Sequence, residues 1–440
     1  MLELGGRFVR HGLRDAHAHV VEWARAERDL DLSGARSAAE VAGRVAADRT
    51  SGVLRGGRFR DAGWPDLPGA ALLEAAAPGR VVVLHSLDMH SAWLSPAALA
   101  LCGLGDHPTG LLREHEAWQA LGRLPARTGA DDDEAVAAAV AAAHARGLTA
   151  VRDFSFEDSH GVWARRQAEA GGVLPLRVTA VVLPEHLAPY VERGLRSGAG
   201  DAYLRVGPLK LFADGALGSR TARCLTPYAG TADHGMQLLD PEQLRRELAL
   251  AARVGFDVAV HAIGDEATRD ALRALQGVAV RASLEHAQLL RHEDLPLFRA
   301  GGVTASLQPA HLVDDADLVD DLWAASPSLP YAVRSLVEAG AEVVLGSDAP
   351  VSALDPWRSI TAAVHRSVGA TPPWRPEEAV SLEVALTASG GRRARAGDAA
   401  DLVVLDVPDP AALRPSDLVQ VPVHATFVGG RCLHGPWRDA

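Results

Sequence analysis

Residues 131–153, DDDEAVAAAVAAAHARGLTAVRD, contain the pattern on which the predicted fold rests. The alanine-rich part predicts a helix over 131–146, with Asp131–Asp133 at its positive N-terminal end and Gly147 where it stops. The short apolar run at 148–153 follows directly and predicts a strand. The same alternation of strand and helix recurs in both directions along the chain.

Strands are predicted wherever a short apolar run rich in β-branched residues occurs, namely near 13–19, 81–85, 148–153, 177–183, 206–212, 256–261, 280–285, 303–307 and 342–347. Helices are predicted between them, one of which starts near Asp265 and runs through Leu275. Strands and helices that alternate in this way predict a parallel sheet, and eight repeats predict a closed (β/α)8 TIM-like barrel of the α/β class. Nine runs are one too many for that barrel. The run at 81–85 lies in a stretch rich in Gly, Pro and Trp, so we assign it to an insertion at about 50–130.

The C-terminal residues follow a different pattern. GDAADLVVLD (397–406) and HATFVGGRCLHG (424–435) predict short strands joined by Gly and Pro turns, and not another strand–helix unit. We therefore expect a small composite β subdomain built from residues 1–10 and 396–440. The barrel is expected to occupy residues 11–395, including its insertion.

Composition restricts the class of protein. The chain has 440 residues and a formal net charge of −12 without a basic run, which argues against nucleic acid or an anionic membrane as a partner. The three widely spaced cysteines form no disulfide framework. The first residues lack the apolar region of a secretory signal, and no apolar run approaches the roughly 18 residues that span a bilayer. We expect a cytoplasmic protein that acts on a small molecule, and a homodimer is left open.

Lys210 is the single lysine among the 44 lysines and arginines of the chain. Arginine stays protonated in proteins, whereas a buried lysine amine can lose its proton and act as a nucleophile. Such an amine can add carbon dioxide, and the resulting carbamate can bridge two metal ions. Survival of one lysine through composition bias is the alternative explanation.

The strongest local motif is Asp15-Ala16-His17-Ala18-His19. Because successive side chains of a strand point to opposite faces, His17 and His19 point the same way and can chelate one ion. Further candidates stand at or just past the ends of apolar runs and fall on barrel strands 4, 5, 6 and 8: Lys210, His261, His286 and Asp348. Since active sites of TIM barrels lie at the carboxyl ends of the strands, these side chains are predicted to converge there.

The chemistry of this set favours two divalent metal ions, with zinc as the default. Imidazole and carboxylate groups suit zinc, and a bound water at an open position has a pKa of about 7. Asp348 is predicted to bind one ion, to take the proton of the attacking water and later to protonate the leaving group. Holding Lys210 neutral at pH 7 costs roughly 4–5 kcal/mol. Metal binding can contribute on the order of 10 kcal/mol, so it can drive carboxylation of Lys210.

The set of two histidines, a lysine, two more histidines and an aspartate resembles the binuclear amidohydrolase superfamily. LKLFADGALGSRTA (209–222), SLDMHSAWLSPAAL (86–99) and ATFVGGRCLHG (425–435) resemble its YtcJ-like branch, which includes N-substituted formamide deformylases. The resemblance covers about residues 10–436 and implies a barrel with a composite β subdomain that hydrolyses a C–N bond in an amide-like substrate through a metal-bound hydroxide. It also implies that His17, His19 and Asp348 hold one metal, that His261 and His286 hold the other, and that carboxylated Lys210 bridges them.

Two departures from that family pattern are expected to matter. Family members carry several β strands before the two-histidine motif, and this chain has about a dozen residues there, so either its β subdomain is reduced or its recorded start is late. Relatives also tend to have Gly and Asn where this chain has Met89 and Ser95, which is expected to change specificity. Candidate substrate contacts are Asp88, His90, Asp214, Gln308 and His311.

The sequence leaves other activities open. Hydrolysis of an ester, lactone or carbamate, or a metal-dependent lyase reaction, needs the same metal ligands and differs in the pocket walls. A catalytically inactive binding protein on this scaffold is the alternative of a different class. It is disfavoured because all six expected ligand positions are filled.

Overall fold

The computed structural model describes residues 4–125, 129–369 and 371–438. Its strands are β1 (Phe8–His11), β2 (Leu13–Ala18), β3 (Leu30–Asp31), β4 (Leu54–Phe59), β5 (Val82–Ser86), β6 (Ser91–Leu94), β7 (Leu111–Arg113), β8 (Leu148–Asp153), β9 (Arg177–Val182), β10 (Leu204–Phe212), β11 (Val258–Ala262), β12 (Ala282–His286), β13 (Leu289–Leu290), β14 (Val303–Leu307), β15 (Leu329–Pro330), β16 (Val343–Leu345), β17 (Leu402–Leu405), β18 (Val423–Val428) and β19 (Arg431–His434).

Its α-helices are α1 (Val20–Ala26), α2 (Ala38–Ala47), α3 (Ala70–Ala76), α4 (Pro96–Leu101), α5 (Glu114–Gly122), α6 (Gly129–His144), α7 (Ser159–Glu169), α8 (Pro184–Glu192), α9 (Pro241–Val254), α10 (Asp265–Leu275), α11 (Leu295–Gly301), α12 (Leu312–Leu322), α13 (Val333–Glu338), α14 (Pro356–His365), α15 (Leu382–Ala388) and α16 (Pro415–Leu418). Single turns of 3₁₀ helix occupy His292–Asp294, Pro309–His311, Pro376–Glu378 and Pro410–Ala412.

Eight parallel strands form the central sheet in the order β16-β14-β12-β11-β10-β9-β8-β2, with helices between them along the chain, which confirms the predicted TIM-like barrel. Strands β11 and β12 are buried along their whole length, as expected where a parallel sheet is covered on both faces. Helix α10 runs from Asp265 to Leu275 as predicted, whereas α6 begins at Gly129 and ends at His144, two residues before the predicted end at 146. Gly147, at the predicted end of this helix, has a φ of +82°. Of the acidic residues predicted at its start, the side chain of Asp131 lies outside the described part of the chain.

The barrel is nearly closed by contacts between its first and last strands. Just past the strand ends, the backbone N–H of Asp348 donates to the carbonyl of His17 (2.6 Å), and that of His19 donates to the carbonyl of Ala349 (2.8 Å). The buried carboxylate of Asp15 accepts from the backbone N–H groups of His17 and Ser347, each at 3.0 Å. Three residues whose backbone groups close the barrel, His17, His19 and Asp348, are therefore also predicted metal ligands.

A second sheet, in the order β3-β4-β5-β6-β7, follows the first barrel strand. The predicted strand at 81–85 is β5 and belongs to this sheet, outside the barrel. The sheet begins at Leu30, earlier than the predicted start of the insertion near residue 50, because two residues are enough for the edge strand β3. It has its own apolar core, which contains Phe59, Leu84 and Trp93. The division of the chain into domains remains a prediction.

The two chain ends form one antiparallel sheet in the order β1-β17-β18-β19, which confirms the predicted composite sheet. Its first strand pairs Phe8 with Leu405 and His11 with Leu402. It is attached to the barrel next to β8, where the hydroxyl of Thr426 donates to the carbonyl of His144 at 2.6 Å. Within the described residues, no helix has both the length and the apolar character needed to cross a membrane.

Candidate metal centre

The carboxyl ends of five barrel strands bring the six predicted ligands to one end of the barrel. Each of the six side chains is buried, although each carries a polar or charged group. They are His17 in β2, His19 directly after it, Lys210 in β10, His261 in β11, His286 at the end of β12, and Asp348 after β16. Burial of so many ionisable groups costs free energy unless they are paired or bind a metal.

His17, His19 and Asp348 form the tightest cluster. The Nε2 atoms of His17 and His19 lie 3.5 and 3.3 Å from Oδ1 of Asp348. One ligand atom from each of the three residues lies within 4.8 Å of the others, so among the described residues these three form a group that could hold a metal ion. The buried Nδ1 of His19 has no hydrogen-bond partner in the described part of the chain. This set of donors fits a divalent ion.

His286 and His261 extend the cluster. The ring of His286 lies 4.8 Å from that of His17 and 4.5 Å from that of His261, measured between centroids. Nδ1 of His286 is buried without a hydrogen-bond partner among the described residues and lies 3.9 Å from Oδ2 of Asp348. Nε2 of His261 lies 3.0 Å from the carbonyl oxygen of Gly215, which leaves its Nδ1 as the nitrogen for a ligand. The two histidines therefore have donors for a second ion, whose presence remains a prediction.

The amine of Lys210 is buried between two aromatic rings. Its Nζ lies 4.7 Å from the centroid of Phe154 and 4.8 Å from that of Phe212, and the residue is 2% exposed. Burial lowers the pKa of Lys210 to about 8, although the negative charges of Glu285 and Asp348 act in the opposite direction. A larger fraction of this amine is therefore neutral at pH 7 than of an exposed lysine, and the neutral amine is the form that adds carbon dioxide.

Three of the buried histidines, His17, His261 and His286, are held neutral. Burial, together with the charge of Lys210, lowers the pKa of His17 to about 4, and burial lowers the pKa values of His261 and His286 well below the usual range. Burial also acts to raise the pKa of Asp348, but the neighbouring His17 and His19 outweigh it and hold this pKa well below its usual range. Neutral imidazole and ionised carboxylate are the forms that bind metal ions.

The backbone is strained at two of the ligand positions. Asp348 has a φ of +56° and His286 a φ of +75°, values that side chains other than glycine rarely adopt. Such conformations persist where the surrounding structure enforces them, and they are concentrated at functional sites. Here the enforced turns direct both side chains across the barrel end toward His17.

Glu285 belongs to this site and was not predicted from the sequence. Its fully buried carboxylate accepts a hydrogen bond from Nδ1 of His17 at 2.7 Å and another from the guanidinium of Arg152 at 2.9 Å. Burial raises its pKa, but Arg152 and His17 outweigh burial and hold it well below the usual range. By fixing Nδ1 of His17, Glu285 directs the ring's Nε2 toward Asp348, as carboxylates behind metal-binding histidines do. An acidic residue inside the apolar run ASLEH was the available sequence signal.

Glu285→Gln is expected to weaken metal binding by about 10- to 100-fold, because loss of this charge releases the orientation of His17. Titration of the metal-free protein with zinc would measure the dissociation constant. Ser283→Ala is the matched control, since Ser283 donates to Oε1 of the same carboxylate (2.5 Å), whereas His17 contacts Oε2. Equal affinities of Glu285→Gln and the wild type would contradict the orienting role.

Three of the five predicted substrate contacts line a small chamber of about 50 Å³ beside the ligands: Asp88, His90 and His311. Gln288, which was not predicted from the sequence, lines it as well, and its Nε2 lies 3.4 Å from Nδ1 of His311. Asp214 and Gln308 do not line the chamber. The carboxylate of Asp214 accepts hydrogen bonds from the backbone N–H groups of Arg223, Ile263 and Gly264, so it anchors the loops beside His261.

His90 reaches the chamber from the second sheet and is tied to Glu114. Its Nδ1 lies 2.7 Å from Oε2 of Glu114, whose Oε1 accepts from the hydroxyl of Thr221 in the barrel at 2.5 Å. Burial lowers the pKa of His90, but the Glu114 carboxylate outweighs it and raises this pKa to about 9. The pair therefore places a positively charged imidazole about 5.1 Å from the ring of His261, measured between centroids.

The His90–Glu114 pair predicts a pH-dependent stability in metal-free protein. Because the folded-state pKa of about 9 exceeds the ordinary value of 6.5, the contribution is complete below pH 6.5 and is lost as the pH rises toward 9. Relative to His90→Asn, the wild type is expected to lose on the order of 3 kcal/mol of unfolding free energy over that range. Denaturant unfolding with a chelator at several pH values would test this, and parallel profiles of the two proteins would contradict it.

Comparison with known proteins identifies the family of the chain. The pattern of the amidohydrolase family matches residues 2–434. The chain is 29% identical to the protein LONG AFTER FAR-RED 3 of Arabidopsis thaliana (98% of this chain and 83% of that protein). It is 28% identical to the putative amidohydrolase YtcJ of Bacillus subtilis strain 168 (98% and 90%). It is 26% identical to the N-substituted formamide deformylase of Arthrobacter pascens (98% and 89%). Among solved structures, an uncharacterized metal-dependent hydrolase from Pyrococcus horikoshii OT3 superposes with a TM-score of 0.76 at 26% identity, covering 94% of this chain and 89% of that one.

Proposed function

Because the chain belongs to the amidohydrolase family and is a metal-dependent hydrolase of that kind, we propose that it hydrolyses the C–N bond of an amide with a short acyl group, such as an N-substituted formamide. The observation that carries this proposal is the buried cluster of His17, His19 and Asp348 at the carboxyl end of the barrel. His261 and His286 would hold a second ion, and Lys210, as its carbamate, would join the two sites. Zinc fits these nitrogen and oxygen donors.

Different groups are proposed to take part in different steps of the reaction. Bound divalent ions would supply Lewis acidity and lower the pKa of a water to about 7. Asp348, with its carboxylate ionised and facing the ligand rings, would accept the proton of the attacking water and deliver it to the leaving nitrogen. His90, which lines the small chamber, would donate a hydrogen bond to the oxygen of the substrate carbonyl. Water access is restricted by the burial of this whole set.

The size of the small chamber supports a short acyl group. The chamber is lined by the ligands His261, His286 and Asp348, and its volume of about 50 Å³ has room for a group the size of a few water molecules. A formyl group meets this limit, and each methylene added to the acyl chain is expected to fit less well. The similarity to the deformylase of Arthrobacter pascens supports the same substrate class.

A series of substrates with one amine and growing acyl groups would test the proposal. N-benzylformamide, N-benzylacetamide and N-benzylbutanamide would be compared with zinc-loaded protein, and kcat/KM is expected to fall by about tenfold or more with each step. Benzyl formate would test ester hydrolysis. Turnover of esters or lactones without turnover of any amide would favour the alternative activities. Zinc binding without turnover of any compound would favour a binding protein.

A further inference from the structure

A second, larger cavity lies beside the small chamber and has no assigned role. Its volume is about 480 Å³, within the range of small-molecule sites. Its apolar wall consists of Met89, Leu121, Leu124 and the half-buried aromatic side chains of Trp118 and Phe156. We refer to these five residues as the aromatic wall. The cavity is also lined by charged side chains of both signs, and two of them, Arg25 and Arg58, are paired with carboxylates.

The turn Ser86–His90 separates the two cavities. Ser86 and Leu87 line both of them, Asp88 and His90 line only the small chamber, and Met89 lines only the large cavity. Met89 has a φ of +64°, in the left-handed region. Its carbonyl oxygen accepts a hydrogen bond from Nε1 of Trp118 at 3.2 Å. The turn thus directs one side chain toward the large cavity and fixes the orientation of the indole that faces it.

The aromatic wall is continuous with the metal centre. The ring of Phe156 stacks on that of His19 with centroids 5.0 Å apart, and the ring of Trp118 lies 4.9 Å from that of Phe212. Phe212 in turn flanks the amine of Lys210. A group that rests on this wall therefore lies close to the ring of His19 and, across Phe212, to the amine of Lys210.

We propose that the large cavity is the subsite for a flat, apolar or aromatic N-substituent of the amide, and that Met89 and Trp118 determine its size and shape. This inference rests on the proposed amide hydrolysis. The substrate would lie across the turn Ser86–His90, with its acyl group among the ligands and its N-substituent against the aromatic wall. Aromatic rings favour stacked or edge contacts with such a wall, whereas a charged substituent would lose hydration there.

Binding to metal-free protein tests the subsite without catalysis. Calorimetric titrations would compare N-benzylformamide with N-methylformamide for the wild type and for Trp118→Leu, Met89→Gly and Met89→Trp. Trp118→Leu and Met89→Trp are each expected to weaken binding of N-benzylformamide by about tenfold or more and to leave N-methylformamide unchanged. Met89→Gly, which also removes the backbone strain, is expected to favour the bulkier N-(naphthylmethyl)formamide by a similar factor. Arg375→Gly relieves a comparable φ of +50° away from both cavities and serves as the control.

The outcomes separate the subsite from the proposed function. Selective loss of N-benzylformamide binding in Trp118→Leu and Met89→Trp would support the subsite. If zinc-loaded protein hydrolysed no amide, that absence of turnover would overturn only the proposed function. Hydrolysis of N-benzylformamide that is as fast in Trp118→Leu and Met89→Trp as in the wild type, with unchanged affinities, would overturn the subsite and leave the function intact. Equal weakening of both probes in Trp118→Leu would also overturn it, because it indicates a general structural effect.

Discussion

Lys210→Arg is expected to lower kcat by about 100- to 1,000-fold or more. Arginine keeps its positive charge, cannot form a carbamate and would repel the ions that the six side chains are proposed to hold. The same variant is expected to bind at most one zinc ion per chain, because the group proposed to join the two sites is lost. Steady-state kinetics with N-benzylformamide and the zinc content of dialysed protein would measure the two effects.

Two further variants separate chemistry from packing at this position. Lys210→Met keeps a long unbranched side chain between Phe154 and Phe212, and it is expected to fold normally and to be as inactive as Lys210→Arg. Lys210→Ala leaves space in which added acetate or propionate is expected to restore part of the activity, since these anions can replace the carbamate. Wild-type turnover in Lys210→Arg would contradict the proposed role of the lysine.

Asp348→Asn is expected to lower kcat by about 100- to 10,000-fold, the range over which a general acid–base group contributes. The amide cannot accept the proton of the attacking water, and it is a poorer metal ligand than the carboxylate that faces His17 and His19. Zinc affinity is therefore expected to fall together with kcat. Kinetics at saturating zinc would separate the loss of the base from the loss of the metal.

Asp240→Asn is the matched control for this variant. Asp240 caps helix α9 on the surface, and asparagine caps helices about as well as aspartate, so stability, zinc affinity and kcat should all stay unchanged. If Asp348→Asn retained near-wild-type kcat at saturating zinc, another group would have to be the base. Thermal melts would separate a catalytic effect from unfolding, because they would show whether Asp348→Asn is still folded at the assay temperature.

The barrel could be predicted from the sequence because buried parallel strands have a simple signature. In strand Val258–Ala262 the single polar residue, His261, stands next to the end of an apolar run, and strand Ala282–His286 ends in His286, so both the strand and the candidate ligand at its end can be recognised from the local sequence. The antiparallel sheet of the chain ends was predicted from its Gly-rich turns. The start of the second sheet was not, because Leu30–Asp31 is a two-residue edge strand without a recognisable pattern.

The parts of the site that escaped prediction depend on contacts between distant segments. The orienting role of Glu285 can be recognised only in the folded chain, because Arg152 and His17, on other strands, face its carboxylate. Glu114 resembles an ordinary acidic residue in the first turn of a helix, and only the fold brings it against His90 and Thr221. Gln288 and the aromatic wall line cavities formed by several loops, which periodicity along one segment cannot reveal.

A crystal structure of the zinc-loaded protein, with data collected on both sides of the zinc absorption edge, tests the central claim most directly. We predict two anomalous peaks, one among His17, His19 and Asp348 and the other beside His261 and His286, with electron density that extends Lys210 beyond Nζ. A structure of fully loaded, active protein with no zinc bound to His17, His19 and Asp348 would contradict the account.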